Sequence, residues 1–155
     1  MCIRDSDCGI SHDMIAGFPT ETEEDHHDTL SLMKYVKYDF GFMFAYSERP
    51  GTVAAKKIED NIPESTRKRR LQEVIDLQRI HSEYKTQQFL GKTVCVLIEK
   101  SSKKSNEFWS GRTGQNIVAV FPKEKYKLGD FVDVKIEKVT SATLIGIAID
   151  ISSSI

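Results

Sequence analysis

The apolar positions of the chain change period twice. Residues 14–18 (Met-Ile-Ala-Gly-Phe) form a short apolar run closed by Pro19, the pattern of a buried strand. Leu30, Met33 and Val36 then recur at three-residue spacing, which predicts a helix over residues 20–37. Thr20 and Glu23 have the spacing of a capping box at its start. Glu21, Glu23, Glu24, Asp25 and Asp28 crowd its first turns, where the helix dipole favours acidic groups. Phe40-Gly-Phe-Met-Phe-Ala-Tyr46 predicts a second buried strand. A strand, a helix long enough to cross over and another strand imply a parallel βαβ unit.

Arg49-Pro50-Gly51-Thr52 breaks this pattern and predicts a loop. After Pro63, residues 64–88 predict one long helix, with Leu71, Val74, Ile75 and Gln78 on its buried face and Arg67-Lys68-Arg69-Arg70 in its first turns. Beyond Gly91 the period becomes two. Thr93–Glu99, Glu107–Gly111, Ile117–Phe121, Phe131–Glu137 and Thr143–Ile149 are short strands separated by Gly, Pro, Asn and Ser clusters, the signature of a small all-β barrel.

The expected fold class is therefore α/β followed by all-β. Two parallel strands with one crossover helix cannot close a sheet, and parallel sheets need both faces covered. Residues 1–63 read as the last part of something larger, and the chain as a C-terminal fragment. The opening MCIRDSDC has no periodicity and reads as a non-native start over residues 1–7. The Ser-rich tail after Asp150 reads as a frayed end.

Composition narrows the classes. The 155 residues are 39% apolar and 29% charged, a mix that can bury a core. No window approaches the ~18–20 apolar residues of a membrane span. No signal-like start is present, so no membrane is expected and the cytoplasm is the expected address. Cys2, Cys8 and Cys95 are too few for a disulfide framework. A net charge of −1 hides a gradient: residues 1–63 carry −6, residues 64–88 carry +2 and residues 89–155 carry +3. The basic end is the candidate for a polyanion.

The candidate sites follow from these elements. Asp25-His26-His27-Asp28 reads as a charged helix start, because adjacent histidines on a helix point about 100° apart and cannot share a metal. Cys2 and Cys8 match no zinc or iron–sulfur spacing, and Cys95 reads as a packed or surface thiol. Gly17-Phe18-Pro19-Thr20-Glu21-Thr22 is stronger: a glycine turn from a parallel strand into a helix is where α/β proteins place ligands. Tyr46–Thr52 ends the next strand on the same rim, where Arg49 can pair with a phosphate or carboxylate. In the barrel, aromatics (Phe108, Trp109, Phe121, Tyr126) interleave with basic residues, as in oligonucleotide-binding barrels.

These residues carry a resemblance. Gly17-Phe-Pro-Thr-Glu-Thr-Glu-Glu-Asp25, Phe44-Ala-Tyr-Ser-Glu-Arg-Pro-Gly-Thr52 and Gly91-Lys-Thr-Val94 resemble the C-terminal part of the radical S-adenosylmethionine tRNA methylthiotransferases. Arg112-Thr113, Asn116 and Phe121 resemble a stretch of that family's terminal TRAM domain, a small RNA-binding barrel. The match runs over residues 8–150 in the family's order.

The resemblance implies the end of a partial, TIM-like radical S-adenosylmethionine barrel over residues 1–63, a connecting helix over 64–88 and a five-stranded TRAM barrel over 89–151. It implies addition of a methylthio group to N6-isopentenyladenosine beside the anticodon, with threonylcarbamoyladenosine as the alternative substrate and a stand-alone RNA-binding module as the alternative role. The family uses S-adenosylmethionine and two 4Fe–4S clusters. The Cys-x3-Cys-x2-Cys that would hold the radical-generating cluster is absent from this sequence, so the chain is expected to ligate neither cluster, to be inactive alone and to supply no catalytic residue. By position in the family's motifs, Ile15, Gly17, Ala45, Tyr46 and Ser47 match residues near the adenosylmethionine. Lys92, Lys103, Lys104, Arg112 and Asn116 match or flank the RNA-contacting barrel positions, with Arg67–Arg70 extending that surface. The expected partners are tRNA and the missing N-terminal part of the same enzyme, with the chain a monomer.

Overall fold

In the computed structural model, residues 8–103 and 105–149 are described. They form two compact units, Ile10–Ser82 and a second that runs from Glu83 onward and includes Gly9. The first contains β1 (Ser11–Ala16), α1 (Glu23–Val36), β2 (Phe40–Ala45), α2 (Val53–Lys57) and most of α3 (Glu64–Gln87). β1 and β2 pair in parallel from Ser11↔Phe40 to Ala16↔Ala45, with α1 as the crossover that the strand–helix–strand pattern predicts.

One face of this two-stranded sheet packs against α3. His12 Nε2 lies 2.9 Å from Gln78 Oε1, the Gln78 amide donates to the Tyr38 carbonyl, and Ser82 Oγ donates to the Asp39 carbonyl. Met33 and Val74 are fully buried here. The expectation of two buried strands is corrected on the other face. Ile15 is 60% exposed, Phe42 60% and Phe44 58%, because two strands and the helices beside them leave one side of the sheet uncovered.

The start of α1 also differs from expectation. The capping box is made by Thr22 and Asp25, not by Thr20 and Glu23. Thr20 instead lies in the left-handed region (φ 74°) and donates its N–H to Asn61. The segment read as a loop after Arg49 contains the short helix α2, which Thr52 caps through Ala55 N–H.

The second unit is a closed barrel of β3 (Thr93–Ser101), β4 (Phe108–Thr113), β5 (Val118–Pro122), β6 (Phe131–Val139) and β7 (Thr143–Ala148), in the order β3-β4-β5-β7-β6. All neighbours are antiparallel except β5 and β7. Alternate residues point inward, so that Val96, Ile98, Ala119, Phe121, Val134, Ile136 and Leu144 form one core. Gly111 is required where β4 crosses this core, because a Cβ there would strike the Leu97 carbonyl oxygen. Among the described residues no helix is long and apolar enough to cross a membrane.

Candidate functional site

The ends of β1 and β2 open onto a cleft of about 460 Å3 lined by Ile15, Phe18, Phe44, Ala45, Tyr46, Ser47, Arg49, Thr52 and Ala54. Four of the five residues matched to the adenosylmethionine region, Ile15, Ala45, Tyr46 and Ser47, meet here. Phe18 and Tyr46 stand edge to face, 5.2 Å between centroids, and form an aromatic corner. The Arg49 guanidinium, on the rim, has no partner among the described residues. The volume falls within the ~300–1,000 Å3 range of small-molecule sites.

Gly17 lies behind the cleft and does not line it. Its positive φ of 74° turns the chain out of β1, and its N–H donates to the Glu21 carboxylate. Its carbonyl accepts from Arg67 Nε at 3.2 Å, and a Cβ at this position would collide with the Arg67 side chain. Arg67 also pairs with Asp60 and lies over the Tyr46 ring, 5.7 Å from its centroid. One side chain of α3 thus fixes the turn after β1, the end of β2 and the segment before α3.

The other two arginines of this run also meet carboxylates of the first unit. Arg70, 3% exposed, donates to the Glu21 carbonyl at 2.9 Å and to Glu23 at 2.7 Å. Arg69 joins Glu23 at 2.6 Å and Glu73 at 2.8 Å, and Glu73 lies 2.6 Å from the fully buried His26. Hydrogen bonds from Arg70 and then Arg69 pull the Glu23 carboxyl down to about 2. Those from His26 and then Arg69 lower Glu73. The run expected to extend an RNA surface, Arg67–Arg70, is already paired: its three arginines meet carboxylates of the first unit, and the exposed Lys68 pairs with Glu64. His26, read as part of a charged helix start, is instead a buried member of the cluster. The sequence signal for it is its place one turn after the capping residue Thr22, on the same helix face as Met33.

In the barrel, Arg112 and Asn116, both matched to RNA-contacting positions, lie together. Arg112 Nη1 donates to Asn116 O at 2.9 Å and to Asn116 Oδ1 at 2.8 Å, and its Nε lies 3.4 Å from Glu99. Both line a groove of about 410 Å3 with Leu97 and Phe131. Lys103 belongs to a second cleft, of about 610 Å3, over Phe108, Val118, Val120 and Ile145. Lys92 lines neither of these and stands 5.9 Å over the Phe89 ring. Lys104 lies outside the described residues. Lys123, outside the expected set, donates to Ser101 Oγ at 2.7 Å and sits 4.1 Å above the Trp109 ring.

The family's iron–sulfur clusters do not fit the described residues. No group of three or more His, Cys, Asp or Glu is placed to hold a metal among them, and their cysteines are the half-buried Cys8 and the exposed Cys95.

Comparison with known proteins agrees with the motifs. Residues 87–149 match the TRAM domain. The chain is 67% identical over 147 residues to a tRNA-2-methylthio-N(6)-dimethylallyladenosine synthase of Christiangramia forsetii, covering 95% of the chain and 31% of that relative. The protein of the same name from Flavobacterium johnsoniae is 60% identical over 147 residues, with 95% and 31% covered. The one from Bacteroides fragilis is 51% identical over 140 residues, with 90% and 31% covered. The chain spans about a third of the length of the curated relatives it matches.

Proposed function

We propose that this chain, alike over most of its length to tRNA-2-methylthio-N(6)-dimethylallyladenosine synthases, is the C-terminal portion of a tRNA methylthiotransferase. In this reading the barrel grips tRNA, and the first unit supplies the end of a radical S-adenosylmethionine domain that modifies isopentenyladenosine beside the anticodon. When bound, the family's adenosylmethionine and iron–sulfur clusters supply the radical and the sulfur chemistry. Ile15, Ala45, Tyr46 and Ser47 hold the cofactor's nucleoside against the Phe18–Tyr46 corner, whose volume and aromatic lining suit an adenine. Gly17 acts at one remove, by letting the turn behind them close on Arg67. The iron–sulfur ligands and the catalytic groups belong to the part of the enzyme that precedes this chain.

The observation that carries the reading is the TRAM-matched barrel with Arg112 held in a fixed direction by Asn116 beside an open groove. A guanidinium pre-aimed in this way loses little freedom on meeting a phosphate. The test is to titrate the full chain with labelled tRNA over a range of salt. Retention at low salt with a linear fall of log affinity against log salt is expected, and Arg112→Gln should reduce that slope by about one. Absence of binding at the lowest salt overturns the reading.

A further inference from the structure

The outer surface of the barrel carries two rows of directly opposed residues. The first runs Phe131 (β6), Leu97 (β3), Arg112 (β4), Val118 (β5) and Thr143 (β7), each the cross-strand partner of the next. The second runs Lys100 (β3), Ser110 (β4), Val120 (β5), Ile145 (β7) and Lys138 (β6). Opposed residues point to the same side of a sheet, and here that side is outward, because the alternate positions fill the core.

An outward surface normally carries polar residues. The outward positions of β6 do so with Asp133, Lys135 and Glu137, which flank the buried Val134 and Ile136. The two rows instead have apolar centres (Leu97, Val118, Val120, Ile145) and cations placed within or at their ends. The groove of about 410 Å3 lies along the Phe131 end of the first row, and the cleft of about 610 Å3 lies along the second. Arg112 lines the groove, and Val118, its partner across the strands, lines the cleft. Lys100, Lys103 and Lys138 have no ion-pair partner among the described residues, and the one carboxylate in the groove, Glu99, is answered by Arg112. Phe131 is 73% exposed, a large aromatic face left in water.

We infer that the two rows form one track for a single strand of RNA, with one base stacked on Phe131 and a second seated in the cleft over Phe108, Val120 and Ile145. Arg112, which the phosphate must draw away from Glu99, takes the phosphate between them, and Lys100, Lys103 and Lys138 take the flanking phosphates. Apolar and aromatic floors with cationic margins are what an unpaired nucleotide needs, since every base has a π-face and every linkage a negative charge. Five strands about 4.8 Å apart give a first row about 19 Å long. That length matches the low end of the ~4–16 nucleotides an oligonucleotide-binding barrel covers. The inference rests on the proposal that the barrel binds tRNA and assigns which of its surfaces does so.

The test uses the full chain with intact tRNA and with single-stranded oligoribonucleotides of graded length. Phe131 projects from the surface, so its substitution leaves the core untouched, as circular dichroism will confirm. Phe131→Ala and Phe131→Leu should each weaken binding roughly tenfold without changing the salt slope, and Phe131→Tyr should restore it, because stacking needs a ring and not apolar area alone. Lys100→Gln and Lys138→Gln should each lower the salt slope by about one and leave base stacking intact. If tRNA binds and responds to Arg112→Gln but is indifferent to Phe131→Ala and Lys100→Gln, the track is overturned while the tRNA reading stands. If wild-type chain binds no RNA, both fall. If polyglutamate competes as well as RNA of equal charge, the surface is a general anion face and the track is overturned.

Discussion

Arg70 is almost wholly buried, yet its Nη2 lies 2.7 Å from Oε1 of Glu23, a carboxylate that keeps 54% of its side chain in water. The buried cation and the half-open anion lock the start of α1 to the start of α3. Glu21, Arg69, Glu73 and His26 complete the cluster.

The lock makes the fold acid-sensitive. Arginine hydrogen bonds hold Glu23 at about 2 against an ordinary 4.5, and Glu73 is lowered in the same direction. Between those values the unfolded chain binds protons that the folded chain does not, so stability rises with pH and is lost as pH falls through this window. Thermal midpoints measured at neutral pH and at successively lower pH should fall between about 4.5 and 2, and Glu23→Gln should flatten that fall. A midpoint indifferent to pH there would contradict the cluster.

Removing Arg70 should be costly. Arg70→Ala removes the buried cation that Glu21 and Glu23 share and leaves Glu23 to Arg69 alone. The expected result is a lower urea midpoint than the wild type, moderated because water screens the exposed side of Glu23. Urea unfolding followed by far-ultraviolet circular dichroism measures it.

Gly17→Ala should damage the cleft as well as the fold. The backbone there sits at φ 74° and the Arg67 side chain occupies the space of a Cβ. The turn must rotate or Arg67 must withdraw, and either releases the contact with Tyr46. The expected readout is a lower thermal midpoint together with weaker uptake of adenosine or S-adenosylmethionine. Gly51→Ala serves as the control, since nothing lies within 4 Å of a Cβ there and only the backbone cost applies.

Phe121→Ala should open the barrel. Phe121 is fully buried at the centre of its core and pairs across the strands with Trp109. A loss of about 3–5 kcal/mol is expected for deleting a buried phenylalanine ring. Near-ultraviolet circular dichroism and emission from Trp109, the single tryptophan, report it directly.

Where sequence and structure agree, the signal was local. Period-two alternation placed all five barrel strands to within a few residues, and the apolar spacing of Leu30, Met33 and Val36 placed α1. Where they differ, a distant partner decided the outcome. Residues 20–25 (Thr-Glu-Thr-Glu-Glu-Asp) offer a capping box in two registers, and the choice of Thr22 over Thr20 follows from Glu21 and Glu23 turning to Gly17, Arg69 and Arg70. The basic run of α3 cannot be all solvent-facing, because four successive residues step right round a helix. Which of them turns inward depends on carboxylates more than forty positions away. Of the candidate residues, the rim at Tyr46–Thr52 was legible because strand ends define it, whereas Ile15 and Ala45 rested on the resemblance. Phe131 escaped because only the barrel's closure brings β6 beside β3 and sets its ring next to the Arg112 groove.

That closure also imposes a schedule. β7 follows β6 in the chain, yet it lies between β5 and β6. While a ribosome still holds residues 143–148, β5 and β6 each present a bare edge, and the cylinder has a slot where its final stave belongs. Both outward rows cross that slot, at Thr143 and Ile145. A nascent chain that still lacks residues 143–148 therefore has no sealed core, and the track proposed above would be interrupted in it.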